Sequence, residues 1–233
     1  FRHIHRNKVQ FDLSRHSDSH GIPEAEFIAL GGRICIVPPY KHLLSHLDAT
    51  YQILRDNKYG IVHAFDNTLN VFPMFLAKLA GVKVRISESI SKGNKNEKKS
   101  LVKYVLRPFS HLFANYYMAN SIDCGVWQFG RKSYDDGKVD IFKSIIDVNK
   151  NKFDKSIRDK VRKDFGLNGK IVYGFIGRYV AQKNPLFLID IFNAISIKQD
   201  NAFLVLIGFG DMEREMMDKV SLLGISDRVI NLG

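Results

Sequence analysis

A chain of 233 residues, 45% hydrophobic and 25% charged, is long enough for one large core or two small ones and too apolar to stay disordered. Two cysteines, Cys35 and Cys124, exclude a disulfide framework and fit a reducing compartment. No apolar run approaches the ~18 residues of a membrane span. The net charge of +11 favours anionic partners, whether nucleic acid, phosphate-bearing molecules or an anionic membrane face.

Short apolar runs alternate with longer amphipathic ones. "RICIVP" (33–38) reads as a strand. Residues 42–58 place Leu43, Leu44, Leu47, Tyr51 and Leu54 at helical spacing. "GIVHAF" (60–65) reads as a strand, "LNVFPMFLAKLAG" (69–81) as a helix closed by Gly81, and "VKVRIS" (82–87) as the next strand. "YYMANS" (116–121) follows, with Ser121 placed to cap the helix 122–130, and then "KVDIFKS" (138–144). The polar segment 147–159 reads as a connection between a domain 1–146 and a domain 160–233. Beyond it come a helix near 156–165, the strand "KIVYGFIG", a helix 185–198, the strand "AFLVLIG", a helix 212–224 and a strand start at "RVINLG". Strands rich in β-branched residues that alternate with helices predict parallel α/β sheets. The second half reaches only three strands where a doubly wound sheet usually has about five or six, and the first residue is Phe1. We therefore expect a piece of a longer protein.

The stretch "GFIGRYVAQKNP" (174–185) carries the chemistry. Gly177 permits a tight turn at the carboxyl end of a strand, Asn184 stands at a helix N-cap and Pro185 at the first helical position. Arg178 and Lys183 then lie where doubly wound sheets bind ligands, beside a helix N-terminus that attracts anions. A guanidinium and an ammonium there suit a diphosphate; an ordinary solvated loop would carry the same charges. Neither a Walker loop nor a dinucleotide fingerprint is present. "GFGDM" (208–212) is a second glycine-rich strand-to-helix turn.

Other candidates are sparser. His63 ends a strand, and Asp66 and Asn67 follow in the same loop; they read as contacts for a hydroxyl-rich ligand or as structural side chains. Residues 91–113 carry Lys92, Lys95, Lys98, Lys99, Lys103 and Arg107 against one acid, Glu97, with Leu101, Val102, Val105, Leu106 and Phe109 as an apolar face. This reads as a solvated amphipathic helix or as a contact with anionic lipid. No nucleic-acid recognition motif appears. The pairs His3/His5 and His16/His20 lack a third ligand at suitable spacing, so no metal is expected. Cys35 and Cys124 read as small buried apolar residues, and Trp127 as packing its helix on the sheet.

The stretch from "GFIGRYVAQKNPLFLIDIFNAI" to "AFLVLIGFGDMEREMMDKVSLLGISDRVINLG" resembles the nucleotide-binding domain of glycosyltransferase family 4, and within it the exopolysaccharide and capsule enzymes. "LGGRICIVPP", "NKYGIVHAFDN", "AKLAGVKVRISES", "ANSIDCGVWQFG" and "KSIIDVNKNKFD" follow that group in order, so the resemblance covers nearly the whole chain. It implies a GT-B fold, two Rossmann-like domains with the second incomplete. Residues 1–146 would form the acceptor side and 160–233 the first part of the nucleotide-sugar side. It implies a retaining transfer from a nucleotide-diphosphate sugar to a lipid-linked saccharide, at the inner face of the cytoplasmic membrane and without a bound cofactor. Arg178, Lys183 and Gly177 would hold the donor diphosphate. Two features depart from the group. Glu88 and Ile90 stand where histidines are common, and only His63 of a His-x-His pair is kept, with Phe65 in the second place. The catalytic residue is therefore unassigned, with His63 and Glu88 as candidates. The Glu-x7-Glu stretch of the group is expected beyond Gly233. A nucleotide-sugar epimerase of the same fold and a non-catalytic basic module that docks on membranes are the competing readings.

Overall fold

The computed structural model describes residues 5, 7–19, 23–92, 100–143 and 145–233. The chain divides into two units, Phe1–Ile145 and Ile146–Gly233.

The first unit runs β1 (Asp12–His16), α1 (Glu24–Ala29), β2 (Arg33–Val37), α2 (Leu43–Asn57), β3 (Ile61–Ala64), α3 (Val71–Leu79), β4 (Val84–Ser89), α4 (Ser100–Leu106), β5 (Tyr116–Ala119), α5 (Ile122–Phe129), α6 (Arg131–Asp135) and β6 (Val139–Ile141). Strands β1 and β2 pair parallel, and β3-β4-β5-β6 form a parallel sheet in that order. The alternating pattern predicted most of these elements. It missed β1, α1 and α6. β1 reads DLSRH, with one apolar side chain. What makes it a strand is its register on β2, where Asp12 faces Arg33 and the Arg33 guanidinium donates to the Asp12 carboxylate.

β4 begins at Val84, two residues later than the pattern suggests. The reason is the end of α3. Gly81 is left-handed (φ 77°), its N–H donates to the Lys78 carbonyl at 3.1 Å, and the Val82 N–H donates to the Ala77 carbonyl at 2.9 Å. These two bonds are a Schellman motif. Val82 then closes the apolar cluster of Leu54, Leu76 and Ala77 and is not free to start the strand. Ser121 caps α5 as its position suggested, its hydroxyl accepting from the Cys124 N–H. Cys124 is buried, whereas Cys35 is only part-buried. Trp127 reaches the neighbouring helix. Its ring meets Tyr104 of α4 edge-on at 5.8 Å, and the Arg107 guanidinium lies 5.7 Å from the ring centroid, so it ties α5 to α4.

The second unit runs α7 (Lys155–Asp164), β7 (Ile171–Ile176), α8 (Pro185–Ser196), β8 (Ala202–Ile207), α9 (Glu213–Leu222) and β9 (Val229–Asn231), with β7-β8-β9 parallel. Helix α7 starts inside the polar segment 147–159 because Asp154 caps it, one carboxylate oxygen accepting from the Ser156 and Ile157 N–H groups. The core is Ile189 and Phe192 of α8, Ala202, Leu204 and Leu206 of β8, and Met216 and Val220 of α9. Each large aliphatic or aromatic member contributes about 1.5–3 kcal/mol by leaving water. Asn184 departs from expectation. It stands before α8 but is left-handed (φ 48°, ψ 54°) and makes no side-chain cap bond. A 3-10 turn, Ala181–Lys183, delivers the chain in that conformation, which Asn tolerates better than most residues.

Candidate functional site

In the second unit two strand-to-helix turns lie back to back. The Gly177 N–H donates to the Ile207 carbonyl (3.0 Å), the Tyr179 N–H to the Phe209 carbonyl (2.9 Å), and the Met212 N–H to the Tyr179 carbonyl (3.0 Å). The backbones approach so closely that only glycine fits. A Cβ on Gly208 (φ 146°) would lie 2.0 Å from the Gly177 carbonyl oxygen, and one on Gly210 (φ 159°) 2.4 Å from that of Tyr179. Beneath them the fully buried Tyr179 donates its hydroxyl to Asn231 Oδ1 at 2.9 Å, and Asn231 Nδ2 donates to Glu213 Oε1 at 2.9 Å. Burial, with Glu213 nearby, pushes the Tyr179 phenol above its ordinary value. The "GFGDM" turn is therefore the brace of the "GRYVAQKNP" turn. Sequence reasoning found both turns but missed Tyr179, Asn231 and Glu213, which stand 52 and 18 residues apart.

On this brace stand Gly177, Arg178 and Lys183. Arg178 and Lys183 are both exposed, and among the described residues neither side chain makes a hydrogen bond or an ion pair. Two cations without a partner among the described residues, in the turn that leads into the 12-residue helix α8, make this turn the candidate anion site. The geometry suits phosphate oxygens, with a forked donor from Arg178 and a point charge from Lys183.

In the first unit the carboxyl ends of β3 and β4 bring His63 and Glu88 together, with Nε2 2.8 Å from Oε2. Parallel register pairs His63 with Ile86, so Glu88, two residues on, shares its face. Glu88 is 13% exposed and His63 37% exposed. A carboxylate only accepts, so Nε2 carries the proton and Nδ1 is the nitrogen left for a ligand. The Phe65 ring stands edge-on to His63 at 5.8 Å.

The other two loop candidates differ from one another. Asp66 is exposed; burial, then the Asp66 carboxylate, pushes the Tyr40 phenol well above its ordinary value. Asn67 is buried and left-handed (φ 58°). Its Oδ1 accepts from the Ile90 and Ser91 N–H groups, both at 2.8 Å, and its Nδ2 donates to Ser91 Oγ at 3.1 Å. Its amide clasps the loop after β4 and so shapes the site. Asn70 adds to the clasp, donating to Ser87 Oγ and to the Glu88 carbonyl. Tyr40 also stacks near His46 (4.2 Å), which is buried with Nδ1 2.7 Å from the Pro38 carbonyl; no sequence signal marked that cluster. Two open depressions of this unit, about 400 Å³ beside Ser17, Pro38 and His42 and about 600 Å³ beside Asn120, Tyr134 and Lys143, contain neither His63 nor Glu88.

Of the basic residues read as a membrane contact, Lys103 lies on α4 and Arg107 on the 3-10 turn after it. Lys95, Lys98 and Lys99 fall outside the described residues, as do His3 and His20. Among the described residues no group of three or more His, Cys, Asp or Glu side chains is placed to hold a metal ion, and no helix is long and apolar enough to cross a membrane.

No family model matches the sequence. The chain is 24% identical over 248 aligned residues to EpsF of Bacillus subtilis (strain 168), a protein named as a glycosyltransferase; the match spans 100% of this chain and 65% of EpsF. Among solved structures it is similar to HepE from Anabaena in complex with UDP-glucose, with a TM-score of 0.74 at 17% identity over 96% of this chain and 68% of HepE. It is also similar to UDP-GlcNAc 2-epimerase from Neisseria meningitidis bound to UDP-GlcNAc, with a TM-score of 0.57 at 14% identity over 96% and 63% of the two chains. The likeness shows the fold that the sequence resemblance implied: α/β with parallel sheets, of the GT-B type.

Proposed function

We propose that the chain is part of a glycosyltransferase that takes its sugar from a nucleotide diphosphate. The observation that carries this is the pair of uncommitted cations, Arg178 and Lys183, on a glycine-braced turn ahead of α8. As the bond between sugar and diphosphate breaks, negative charge grows on the leaving phosphate. Arg178 and Lys183 neutralise it from fixed positions, with Gly177 admitting the phosphate close to the backbone, so the reaction needs no bound metal. The UDP-glucose held by HepE supports a UDP-sugar as the donor class.

We place the acceptor on the first unit, near His63 and Asp66. His63 Nδ1 would accept from a sugar hydroxyl while Glu88 holds the ring. The finer reading is a retaining transfer to a lipid-linked saccharide in exopolysaccharide or capsule assembly, at the inner face of the cytoplasmic membrane. The family resemblance supports that finer reading, and the similarity to EpsF supports the transferase reading alone.

Calorimetric titration of the full chain with UDP and with UDP-glucose tests the donor site; a folded chain that binds neither sinks the proposal. The likeness to UDP-GlcNAc 2-epimerase favours one second reading, epimerisation of the sugar nucleotide itself. Release of epimerised UDP-sugar from UDP-GlcNAc with no acceptor present would decide for it. A non-catalytic membrane module is the reading left if no sugar nucleotide binds.

A further inference from the structure

The parallel ladder between β3 and β4 ends in an unusual rung. Its register pairs His63 with Ile86 and Ala64 with Ser87, and the Val84 N–H donates to the Gly60 carbonyl at 3.1 Å. In a parallel ladder each bonded residue reaches the two neighbours of its partner, so the series repeats every second residue. The next rung in this series would join the Asp66 N–H to the Glu88 carbonyl. Instead the Asp66 N–H donates to Asn70 Oδ1 at 2.6 Å, and Asn70 Nδ2 donates to the Glu88 carbonyl at 2.9 Å. The side-chain amide of Asn70 thus stands in the ladder as an inserted peptide unit.

The amide is locked in one orientation. Asn70 is 1% exposed, and only one way round puts its oxygen on the N–H and its nitrogen on the carbonyl. Nδ2 donates to Ser87 Oγ as well, at 3.0 Å. Ser87 and Gln128 are equally buried, and Gln128 Nε2 backs the arrangement from α5 by donating to the Asn67 carbonyl at 3.1 Å. Burying an amide is costly unless both of its ends are bonded, and both ends of Asn70 are. A bonded network of this kind fixes a single geometry. It does so beside the His63–Glu88 pair: Asp66 lies three residues past His63, and Glu88 is itself a partner of the inserted amide.

We propose that Asn70 is a positioning residue for His63. Its amide holds β3 and β4 apart by its own width just past the pair. That spacing sets the Glu88 carboxylate on Nε2 and leaves Nδ1 for a ligand. Without the amide the strands close the missing rung directly, which draws the loop after His63 toward β4 and takes Glu88 out of line with the imidazole. The functional meaning of the inference rests on the reading of His63 as an acceptor contact, whereas its test rests on the geometry alone.

The test is the nitrogen NMR spectrum of the His63 imidazole in the full chain, with no nucleotide or acceptor added, at a pH where titration shows the ring neutral. The wild-type ring is expected as the Nε2–H tautomer, with two well-separated nitrogen resonances. In Asn70→Ala the two should move toward each other as both tautomers become populated. Leu54→Ala, which opens a cavity in the apolar cluster with Leu76 and Ala77, should lower the melting temperature and leave the ring in one tautomer, so positioning is separated from loss of stability. A folded Asn70→Ala chain with the wild-type spectrum overturns the proposal. So does a mixed tautomer in the wild-type chain or in Leu54→Ala. Should Asn70→Ala not fold, Asn70→Asp carries the same test, because it keeps the volume and the acceptor for the Asp66 N–H and loses the donor to Glu88; a single Nε2–H tautomer there overturns the proposal equally. Failure of the acceptor reading is seen separately, as sugar transfer that His63→Ala leaves unchanged, and would not alter these spectra.

Discussion

His63 Nε2 and Glu88 Oε2 meet at 2.8 Å across the adjacent parallel strands β3 and β4. Glu88 is the more enclosed of the two, 13% exposed against 37%. Removing the imidazole leaves a mostly buried carboxylate without that donor, while removing both partners does not. The His63→Ala/Glu88→Ala double variant is therefore expected to cost less stability than the two single variants summed, with a coupling of about 1–2 kcal/mol in urea unfolding. Coupling near zero would mean that the two side chains share no interaction in solution.

Arg178 and Lys183 are committed to nothing else among the described residues. Arg178→Ala and Lys183→Ala should each weaken UDP binding about tenfold or more, the scale of a lost charge-assisted hydrogen bond. Neither should change the melting temperature. Calorimetry and thermal unfolding on the same samples separate the two effects.

The two glycines of β7 and of the turn after β8 make a matched comparison. Gly174 has open space where a Cβ would stand, whereas Gly208 has the Gly177 carbonyl oxygen at 2.0 Å. Gly174→Ala is expected to be neutral or to stabilise by up to about 1 kcal/mol. Gly208→Ala should destabilise by at least about 2 kcal/mol and weaken UDP binding, because it forces apart the turns that carry Arg178. Equal unfolding midpoints for the two variants would contradict the close backbone approach.

Left-handed Asn184 predicts its own substitution pattern. With φ 48° and no side-chain cap bond, Asn184→Gly should be tolerated and Asn184→Ala should cost about 1 kcal/mol, by denaturant midpoint. An Asn184→Ala variant as stable as Asn184→Gly would contradict the left-handed backbone at this position.

Asp12 couples stability to pH. The Arg33 guanidinium, helped by the Tyr59 hydroxyl, holds its carboxyl below the ordinary value despite burial. A depressed folded value means that the native state favours the ionised form. The stabilisation is thus fully present above the unfolded value of about 4 and is lost as pH falls through the lower folded value. Arg33 is 65% exposed, so solvent screening keeps the contribution of the pair small. Asp12→Asn should flatten that part of the acid limb of a urea stability profile; urea is preferred because it does not screen the pair.

Much of the fold follows from local patterning. The order of strands and helices, their parallel pairing, the Ser121 cap and the placing of Arg178 and Lys183 on a turn after a strand are read from periodicity and turn chemistry within a dozen residues. Other features depend on residues that meet only after the chain has folded. β1 is a strand through its register and ion pair with β2, 21 residues on. The clasp of Asn67 on the loop at 90–91 joins residues 23 and 24 positions apart. The need for glycine at Gly208 comes from a carbonyl 31 positions earlier. His63 was visible as a lone histidine, but its tautomer and its free nitrogen were decided by Glu88, 25 residues away. Sequence alone determined most of the strands and helices, β1, α1 and α6 excepted, and which turn carries the cations, because those are short-range steric and hydrophobic preferences. Tertiary structure decided which polar groups are already satisfied and which remain for a ligand, because a hydrogen bond depends on distances that sequence spacing does not encode.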